Sequence, residues 1–422
     1  MIHPDREARS ASRDPQARLD EAVGLTLALD LEVRDALVVT LRRLTPATLF
    51  GKGKVEEIGL LLKELDADVA IIDDALTPVQ QRNLETAWQV KVIDRTGLIL
   101  EIFARRARTR EGRLQVELAR LNYERSRLVR TWTHLERQRG GFGVMGGPGE
   151  TQIETDRRLL AEKIGKLKRD LTEVRRTRTL QRAARKRHPY PTVALVGYTN
   201  AGKSTLFNRL TRSDVVAQDM LFATLDPTLR MLKLPDGRPA IMSDTVGFIS
   251  DLPHELVEAF RATLEEVKEA DVVLHVRDIA SSESNAQAQD VRTVLERLGV
   301  DMDERRILEV WNKIDLLPAE ARHVVAGDAR RAHPPTALAS AASGEGCSDL
   351  LEAIAALVDE APPVDVFAPA GEGAAIAWLY RHGRVIERAD GKDGSVRLAV
   401  SLSPQALGQF EQQFPLAEIR AH

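Results

Sequence analysis

The clearest signal in this chain is the stretch Gly197-Tyr198-Thr199-Asn200-Ala201-Gly202-Lys203-Ser204. It follows a β-favouring run, Thr192–Val196, and precedes a run with helical spacing, Thr205–Leu210. A strand, the pattern G-x-x-x-x-G-K-[ST] and a helix together form a phosphate-binding loop, whose glycines let backbone N–H groups surround a phosphate chain. We therefore predict a nucleotide site in a doubly wound α/β domain, at the carboxyl ends of its strands.

Three side chains at the end of this stretch have predicted roles of their own. Lys203 places a positive charge at the β- and γ-phosphates, and Ser204 offers a hydroxyl to Mg²⁺. Thr205 is the last residue that we assign to phosphate binding. The predicted helix begins here, and the field of its N-terminus favours an anion.

A second motif, Ser243-Asp244-Thr245-Val246-Gly247, comes at the end of a predicted strand. In that position Asp244 would hold the Mg²⁺ shell, usually through water, and the Gly247 N–H would meet a γ-phosphate. Such a contact makes the following loop sensitive to the nucleotide state. A threonine that senses Mg²⁺ and the γ-phosphate should precede this motif, and we choose Thr224, with Thr228 in reserve.

The motif Asn312-Lys313-Ile314-Asp315 predicts which base is bound. The Asp315 carboxylate can accept both hydrogens from guanine N1 and N2, whereas adenine would leave it unsatisfied. We expect Lys313 to cover the base plane and Asn312 to tie this loop to the phosphate loop. Ser340-Ala341 should supply the backbone contact to guanine O6, so the expected ligands are GTP and GDP.

Phe248 predicts a site that needs help to hydrolyse GTP. Phe248 directly follows Gly247. At the position of Phe248, small GTPases carry a glutamine that orients the attacking water, and a phenyl ring cannot do so. We therefore expect slow intrinsic hydrolysis, with a partner or a cation completing the site. Asn200 is a candidate ligand for K⁺, as in related GTPases with asparagine there, but a hydrogen bond that stabilises the loop explains it equally well.

Composition predicts a cytoplasmic α/β multidomain protein. The chain has 422 residues, of which 43% are hydrophobic and 29% charged, and it is too long for one ordinary core. A single cysteine, Cys347, excludes an internal disulfide and fits a reducing compartment. No apolar run is long enough to cross a bilayer, so we expect at most peripheral membrane association. Residues 1–18 are polar and charged, which predicts a disordered tail instead of a secretion signal.

Residues 19–107 alternate predicted helices with buried strands. Lys54–Leu65 and Thr77–Trp88 have helical spacing, while Val69–Asp73 and Val90–Asp94 have the composition of strands. This alternation predicts a small N-terminal α/β domain with a parallel sheet. Gly51-Lys52-Gly53-Lys54 is a candidate second anion loop, although a turn before a helix is the favoured interpretation.

Residues 108–187 predict a basic helical hairpin. Two apolar stripes, Leu114 to Leu128 and Leu160 to Val174, flank a loop at 140–149 with six glycines. Residues 101–187 hold 24 Lys and Arg against 11 Asp and Glu, a net charge of +13 in a chain of net charge −3. The functional interpretation is a probe whose basic arms reach phosphates. Ordinary helices with a solvated charged face and a flexible connector are the alternative.

The remaining residues predict two further domains. In the nucleotide domain, 188–361, we expect strands at Leu229–Leu234, Pro239–Ser243, Ala270–Val276 and Arg306–Trp311, and helices at Pro253–Lys268 and Asn285–Leu298. The last part, 362–422, predicts a small α+β domain with strands at Ala374–Arg381, Val385–Arg388 and Val396–Leu402 and a closing helix at Pro404–Phe414.

Taken together, these motifs resemble the HflX family of ribosome-associated GTPases, within the Obg–HflX group. The resemblance covers nearly the whole chain. Its most specific segments are EGRLQVELA at Glu111–Ala119, GPGETQ at Gly147–Gln152 and FATLDPT at Phe222–Thr228. It implies a P-loop GTPase domain preceded by a small α/β domain and a helical hairpin, and followed by a small α+β domain.

The resemblance also implies binding to the large ribosomal subunit and its RNA. The hairpin loop would reach toward the peptidyl-transferase region through Gly140, Gly141, Phe142, Gly143, Gly146, Gly147, Pro148 and Gly149. In some members this leads to splitting of stalled or idle ribosomes under stress such as heat. We expect a monomer that binds no DNA.

Two residues depart from the family pattern. Gly146 stands where the family commonly has arginine, and Arg277 stands where related GTPases carry an apolar residue. ATP binding by the N-terminal domain has been proposed in the family, but residues 20–107 contain no ATP motif. The alternative function is a protein-binding GTPase switch that regulates a non-ribosomal complex such as a membrane protease. An RNA-processing ATPase is opposed by Asp315.

Overall fold

The structure is a computed structural model that describes residues 1–6, 13–138, 148–185, 190–213, 221–251, 266–297, 299–300, 307–358, 364–391, 394–402 and 404–421. The chain forms two compact units. The first comprises Met1–Arg178, Gln218–Asp226 and Ile249–Ala262, and the second comprises Thr179–Ala217, Pro227–Phe248 and Thr263–His422. No helix among the described residues is long and apolar enough to span a membrane.

The first unit contains a four-stranded parallel sheet in the order β2-β1-β3-β4. Its strands are β1 (Ile2–Arg6), β2 (Leu37–Leu41), β3 (Val69–Ile72) and β4 (Lys91–Asp94). Its helices are α1 (Pro15–Leu27), α2 (Lys52–Glu64), α3 (Pro78–Trp88) and α4 (Arg95–Arg106). The predicted small α/β domain with a parallel sheet is confirmed. Gly51 directly precedes α2, as expected of a turn before a helix.

The prediction of a disordered tail over residues 1–18 is wrong for the residues that the structure describes there, 1–6 and 13–18. Residues 2–6 form β1, which pairs with both β2 and β3, and α1 begins at Pro15. This strand can be polar in composition because its polar side chains have hydrogen-bond partners. The His3 ring is 2.8 Å from the Asp73 carboxylate, and Arg6 donates to Asp74. Hydrogen bonding makes burial of such polar groups tolerable, and composition alone gives no sign of these partners.

Two long helices follow, α5 (Arg110–Gln138) and α6 (Pro148–Arg185), and both belong to the first unit as far as Arg178. Leu121, Ile164 and Leu167 form a buried cluster, and Leu114, Leu118 and Leu160 pack against it. The predicted pairing of two apolar stripes is therefore confirmed. Residues 140–147 of the predicted loop lie outside the described residues, whereas Pro148 and Gly149 belong to the first turn of α6.

The second unit contains a six-stranded sheet in the order β10-β9-β8-β5-β7-β6, parallel except for β6. Its strands are β5 (Thr192–Gly197), β6 (Thr228–Lys233), β7 (Pro239–Asp244), β8 (Val272–Asp278), β9 (Ile307–Asn312) and β10 (Thr336–Leu338). Its helices are α7 (Lys203–Thr211), α8 (Ser284–Arg297), α9 (Ala319–Ala329) and α10 (Cys347–Val358). This is the predicted doubly wound arrangement. The predicted helix from Pro253 lies outside the described residues as far as 265.

The last sheet, with antiparallel strands in the order β12-β13-β11-β14, corrects one prediction. Its strands are β11 (Val364–Ala368), β12 (Arg384–Asp390), β13 (Val396–Ser401) and β14 (Glu418–Ala421). The predicted strand Ala374–Arg381 is instead helix α11 (Gly373–His382), and α12 (Pro404–Gln413) follows β13. Ala375 and Leu379, four residues apart, are the buried positions of α11. That period and the high helix propensity of Ala and Leu outweigh the apolar run that suggested a strand.

Arg277, which departs from the family pattern, lies in a buried charge cluster at the end of β8. Its guanidinium is 2.8 Å from Glu309 on β9, and Arg292 of α8 is 2.5 Å from the same carboxylate. Trp311 Nε1 donates to Glu309 at 2.9 Å. Burial alone would raise the pKa of Glu309, but the Trp311 hydrogen bond and the charge of Arg277 hold it well below its usual range. His275 Nδ1, at 3.7 Å, is too distant for a normal hydrogen bond.

We expect Glu309→Gln to lower the free energy of unfolding of the second unit by about 3–5 kcal/mol, because it leaves the buried Arg277 and the partly exposed Arg292 without their counter-charge. A depressed folded pKa means that the carboxylate stabilises the fold above the unfolded pKa, about 4.3, and that this contribution is lost as pH falls. The variant should therefore lose that part of the acid dependence. Urea unfolding at several pH values, followed by hydrogen exchange of β8 and β9, measures both effects.

The matched control is Glu418→Gln, which removes an exposed carboxylate from the surface pair with Arg420 in the same unit. Such pairs contribute about 0–1 kcal/mol. Equal effects of the two substitutions would contradict a specific role for the buried cluster.

Candidate functional site

The phosphate loop runs from the end of β5 into α7, as its sequence predicts. Gly202 directly precedes the helix with a φ of +90°, in the left-handed region that favours glycine. A Cβ atom there would lie 2.2 Å from the Asn312 side-chain nitrogen. Only glycine therefore lets the loop and Asn312 approach this closely. Asn200 is exposed with a φ of +60°, and Thr205 is exposed on α7.

Two donors of this loop are buried. Lys203 is 6% exposed, and its ammonium donates to the Tyr198 carbonyl at 2.7 Å. Burial lowers the pKa of Lys203 to about 8, against the opposing charge of Asp244. The Thr199 hydroxyl is also buried and has no hydrogen-bond partner among the described residues. A buried cation and a buried hydroxyl without a partner among the described residues suit an anionic ligand, because burial is costly for a charge and for an unpaired polar group.

Ser204 and Asp244, the residues expected at Mg²⁺, lie together. The Ser204 hydroxyl donates to Asp244 Oδ2 at 2.7 Å, and Asp244 is fully buried. A hydroxyl and a carboxylate beside a phosphate loop are the hard oxygen ligands that Mg²⁺ takes together with nucleotide phosphates, so these residues fit that ion. Thr224 belongs to the first compact unit and the other two to the second, so its part in this site stays a prediction.

The motif ending at Gly247 joins the phosphate loop through the backbone of Phe248. The Thr199 N–H donates to the Phe248 carbonyl at 2.7 Å, and the Phe248 N–H donates to the Gly197 carbonyl at 3.1 Å. The Phe248 side chain is 2% exposed. The ring is thus part of the packed interior, and the residue contributes backbone contacts to the site instead of a polar side chain.

The Asn312 side chain connects three of the predicted motifs. Its nitrogen donates to the Ala201 carbonyl at 2.8 Å, and its oxygen accepts from the Ala341 N–H at 2.9 Å. Asn312 is 1% exposed and Ser340 is fully buried. One buried amide therefore fixes the phosphate loop and the segment at Ser340-Ala341 relative to the end of β9.

Asp315 follows in a short 3-10 helix, Ile314–Leu316. Its Oδ1 atom is buried and has no hydrogen-bond partner among the described residues. Lys313, with a φ of +66°, is held by an ion pair of 2.8 Å to Asp278 at the end of β8. A buried carboxylate oxygen without a partner is costly, and a ligand with N–H groups would remove that cost.

Three further residues hold the base-recognition loops, and sequence reasoning missed them. Arg209 of α7 donates from Nε to the Ala341 carbonyl at 2.5 Å, and Arg322 of α9 donates to the Asp315 carbonyl at 3.1 Å. Asp278, which pairs with Lys313, is the third. No sequence pattern reveals them, because the two arginines contact backbone carbonyls and any residue supplies a carbonyl.

Four protein families match this chain in sequence order. They are "GTP-binding GTPase N-terminal" at residues 16–104, "GTP-binding GTPase Middle Region" at 106–185, "50S ribosome-binding GTPase" at 192–313 and "HflX C-terminal domain" at 328–420. The chain also matches whole proteins. A GTPase HflX of Magnetococcus marinus is 52% identical over 94% of this chain and 90% of its own length.

Another relative and one solved structure also match. The GTPase HflX of Escherichia coli is 44% identical over 91% of this chain and 89% of its own length. A solved GTP-binding protein of Sulfolobus solfataricus, in complex with GDP, is 23% identical, with a TM-score of 0.44. That comparison covers 85% of this chain and 99% of the other.

We expect Asn312→Ala to weaken GDP binding by roughly 10- to 100-fold, because it leaves a buried carbonyl and a buried N–H unsatisfied at about 1–3 kcal/mol for such a loss. Titration with a fluorescent guanine nucleotide measures the change. Asn83→Ala is the matched control, since it removes one exposed hydrogen bond to the Ala47 carbonyl in the first unit. Wild-type affinity in Asn312→Ala would show that the amide does not order the site.

Proposed function

This chain belongs to the HflX family of GTPases, and on that basis we propose that it hydrolyses GTP with Mg²⁺ while bound to the large ribosomal subunit. Specificity for guanine is proposed from the buried Oδ1 atom of Asp315, which has no hydrogen-bond partner among the described residues. Guanine N1 and N2 offer two hydrogens to this carboxylate, and adenine offers no such pair. The segment Ser340-Ala341 is assigned the backbone contact to guanine O6, which its N–H groups would share with their present acceptors, Asn312 Oδ1 for Ala341 and the Glu345 carbonyl for Ser340.

The phosphates are assigned to residues 197–205 and to Gly247. Lys203 meets the β- and γ-phosphates, and its depressed pKa returns toward the ordinary value once phosphate charges surround it. Ser204 and Asp244 hold Mg²⁺, directly and through water, and Thr224 senses the ion together with the γ-phosphate. Mg²⁺ supplies Lewis-acid stabilisation of the charge on the phosphate oxygens.

Hydrolysis transfers the γ-phosphoryl group to water, so that the bond to the β-phosphate oxygen breaks and GDP and phosphate leave. The attacking water needs an orienting acceptor. Phe248 offers none because its ring is buried and apolar. We therefore propose slow intrinsic turnover that the ribosome stimulates by completing the site.

Charge supports the ribosomal assignment. Residues 101–187 carry a net charge of +13, and ribosomal RNA is the polyanion that a basic helical hairpin would meet in the cytoplasm. One matching family is described as a 50S ribosome-binding GTPase. In this proposal GTP orders the loops at Thr224 and Gly247, and the GDP form releases. The hairpin segment from Gly140 to Gly149 contacts the subunit, and splitting of stalled or idle ribosomes under stress is the proposed outcome.

The proposal also includes K⁺ at Asn200. Turnover should be faster in K⁺ than in Na⁺, and Asn200→Ala should remove that difference, because the side-chain oxygen would no longer hold the cation beside the phosphates. Phosphate release at equal ionic strength in the two salts measures it. Equal rates of the wild-type protein in the two salts would contradict a K⁺ site. A hydrogen bond that stabilises the loop would then explain Asn200.

The ribosomal role is tested by pelleting the protein with purified ribosomal subunits. A non-hydrolysable GTP analogue should carry it into the pellet with the large subunit, and GDP should not. Binding should fall steeply with salt because phosphate contacts release counterions. No nucleotide-dependent binding to the large subunit would overturn this role and favour the alternative, a switch that binds a protein complex such as a membrane protease.

Asp315→Asn supplies the sharpest control. An asparagine side chain donates to the C2 oxygen of xanthine and accepts from N1, so the variant should lose the response to the GTP analogue and regain it with a xanthosine triphosphate analogue. Such a switch separates an effect of the nucleotide from damage to the fold.

A further inference from the structure

Residues 221–226, which include Thr224, pack within the first unit. Phe222 and Leu225 are 2% and 7% exposed. The Phe222 ring meets Phe103 of α4 edge to face, with centroids 4.7 Å apart. Thr224 therefore lies between two buried side chains, of which Phe222 packs on α4 of the first unit.

The same segment ends at Asp226, whose carboxylate lies at the N-terminus of α5. Asp226 Oδ2 accepts from the Arg108 and Thr109 N–H groups at 2.8 and 2.9 Å, and Oδ1 accepts from the Thr109 hydroxyl at 2.5 Å. The Thr109 hydroxyl in turn accepts from the Gly112 N–H at 3.0 Å. The first N–H groups of a helix have no partner within it, and a negative charge there is favourable. Asp226 thus completes the cap of α5.

Gly112 makes this contact sterically possible. A Cβ atom on Gly112 would lie 2.4 Å from Asp226 Oδ1. Glycine weakens a helix relative to alanine, so its presence in the first turn of α5 needs a reason, and the approach of the carboxylate supplies one. The contact joins the segments EGRLQVELA and FATLDPT, to which the GTPase chemistry assigns no common role.

We propose that Asp226 is a positioning residue that couples the nucleotide state at Thr224 to the N-terminus of the hairpin helix α5. This rests on the proposed function, because only GTP with Mg²⁺ gives Thr224 a ligand that GDP lacks. With GTP bound, Thr224 holds residues 221–226 in place and Asp226 caps α5. With GDP bound, the segment loosens and the cap weakens. The coupling is reciprocal, so a ligand that fixes α5 also favours GTP.

The test is amide hydrogen exchange of Arg108 and Thr109 in the full chain with a GTP analogue and with GDP. Their exchange should be slower with the analogue by about fivefold or more, the low end of ordinary coupling between sites. Asp226→Ala should remove this nucleotide dependence while leaving GDP affinity intact. Asp349→Ala, which removes an exposed carboxylate from the first turn of α10, should change neither.

Gly112→Ala disrupts the same contact from the side of α5. It provides a second test in case Asp226→Ala does not fold. It raises the helix propensity of α5 but displaces the carboxylate, so it should also remove the nucleotide dependence. Gly165→Ala in α6 is its control, because a Cβ there has no neighbour closer than 3.8 Å. A stabilising effect of alanine alone would appear in both variants, whereas loss of coupling should appear only in Gly112→Ala.

Nucleotide titration of the same samples separates two kinds of failure. If wild-type protein binds both nucleotides but Arg108 and Thr109 exchange at the same rate in each, the coupling is overturned and the proposed function survives. Retained nucleotide dependence in both Asp226→Ala and Gly112→Ala would also overturn it. If the chain binds neither nucleotide, the proposed function fails and the coupling fails with it.

Discussion

The hydrogen bonds of one buried amide, Asn312, impose the strictest constraint on the nucleotide site. Its donor and its acceptor are each committed to a backbone group, at Ala201 and Ala341, so neither loop can move without leaving a buried polar group unpaired. The need for glycine at position 202 follows from this, since a Cβ atom there would collide with the amide. The positions of the loops that we propose to bind the base and the phosphates are thus coupled through a single side chain.

Much of this site was predictable from sequence because its chemistry depends on short, fixed spacings. Gly202, Lys203 and Ser204 act through a turn and the start of a helix, and both are local. The cluster around Glu309 was not predictable, since Arg277 and Arg292 meet it only after the strands pair. The same reason explains the missed strand β1 and the missed arginines of the base loops. A local sequence pattern shows which structure a residue prefers, but contacts with residues distant in sequence determine whether it adopts that structure.

Buried charge in the first unit follows the rule seen at Glu309. Arg95 is 4% exposed and is paired with both Asp73 and Glu21. It also donates to the hydroxyl and the carbonyl of Ser250, at 3.0 and 3.2 Å. A buried arginine that gained only its carboxylates would contribute little net stability, because desolvation offsets the attraction. Its contacts to Ser250 give it a further role, which is to fix the chain three residues after Gly247.

Both segments proposed to respond to the γ-phosphate are therefore anchored in the first unit by charged hydrogen bonds, at Asp226 and at Ser250. Each is continuous in the chain with a strand of the second unit, through Pro227 into β6 and through Phe248 from β7. Charge-assisted hydrogen bonds are stronger than neutral ones, and those at Ser250 are buried whereas those at Asp226 are exposed. A nucleotide that reorders either segment must therefore act against these hydrogen bonds. Because Asp226 caps α5 and α5 packs against α6, the hairpin has a physical reason to respond to GTP in the proposed coupling.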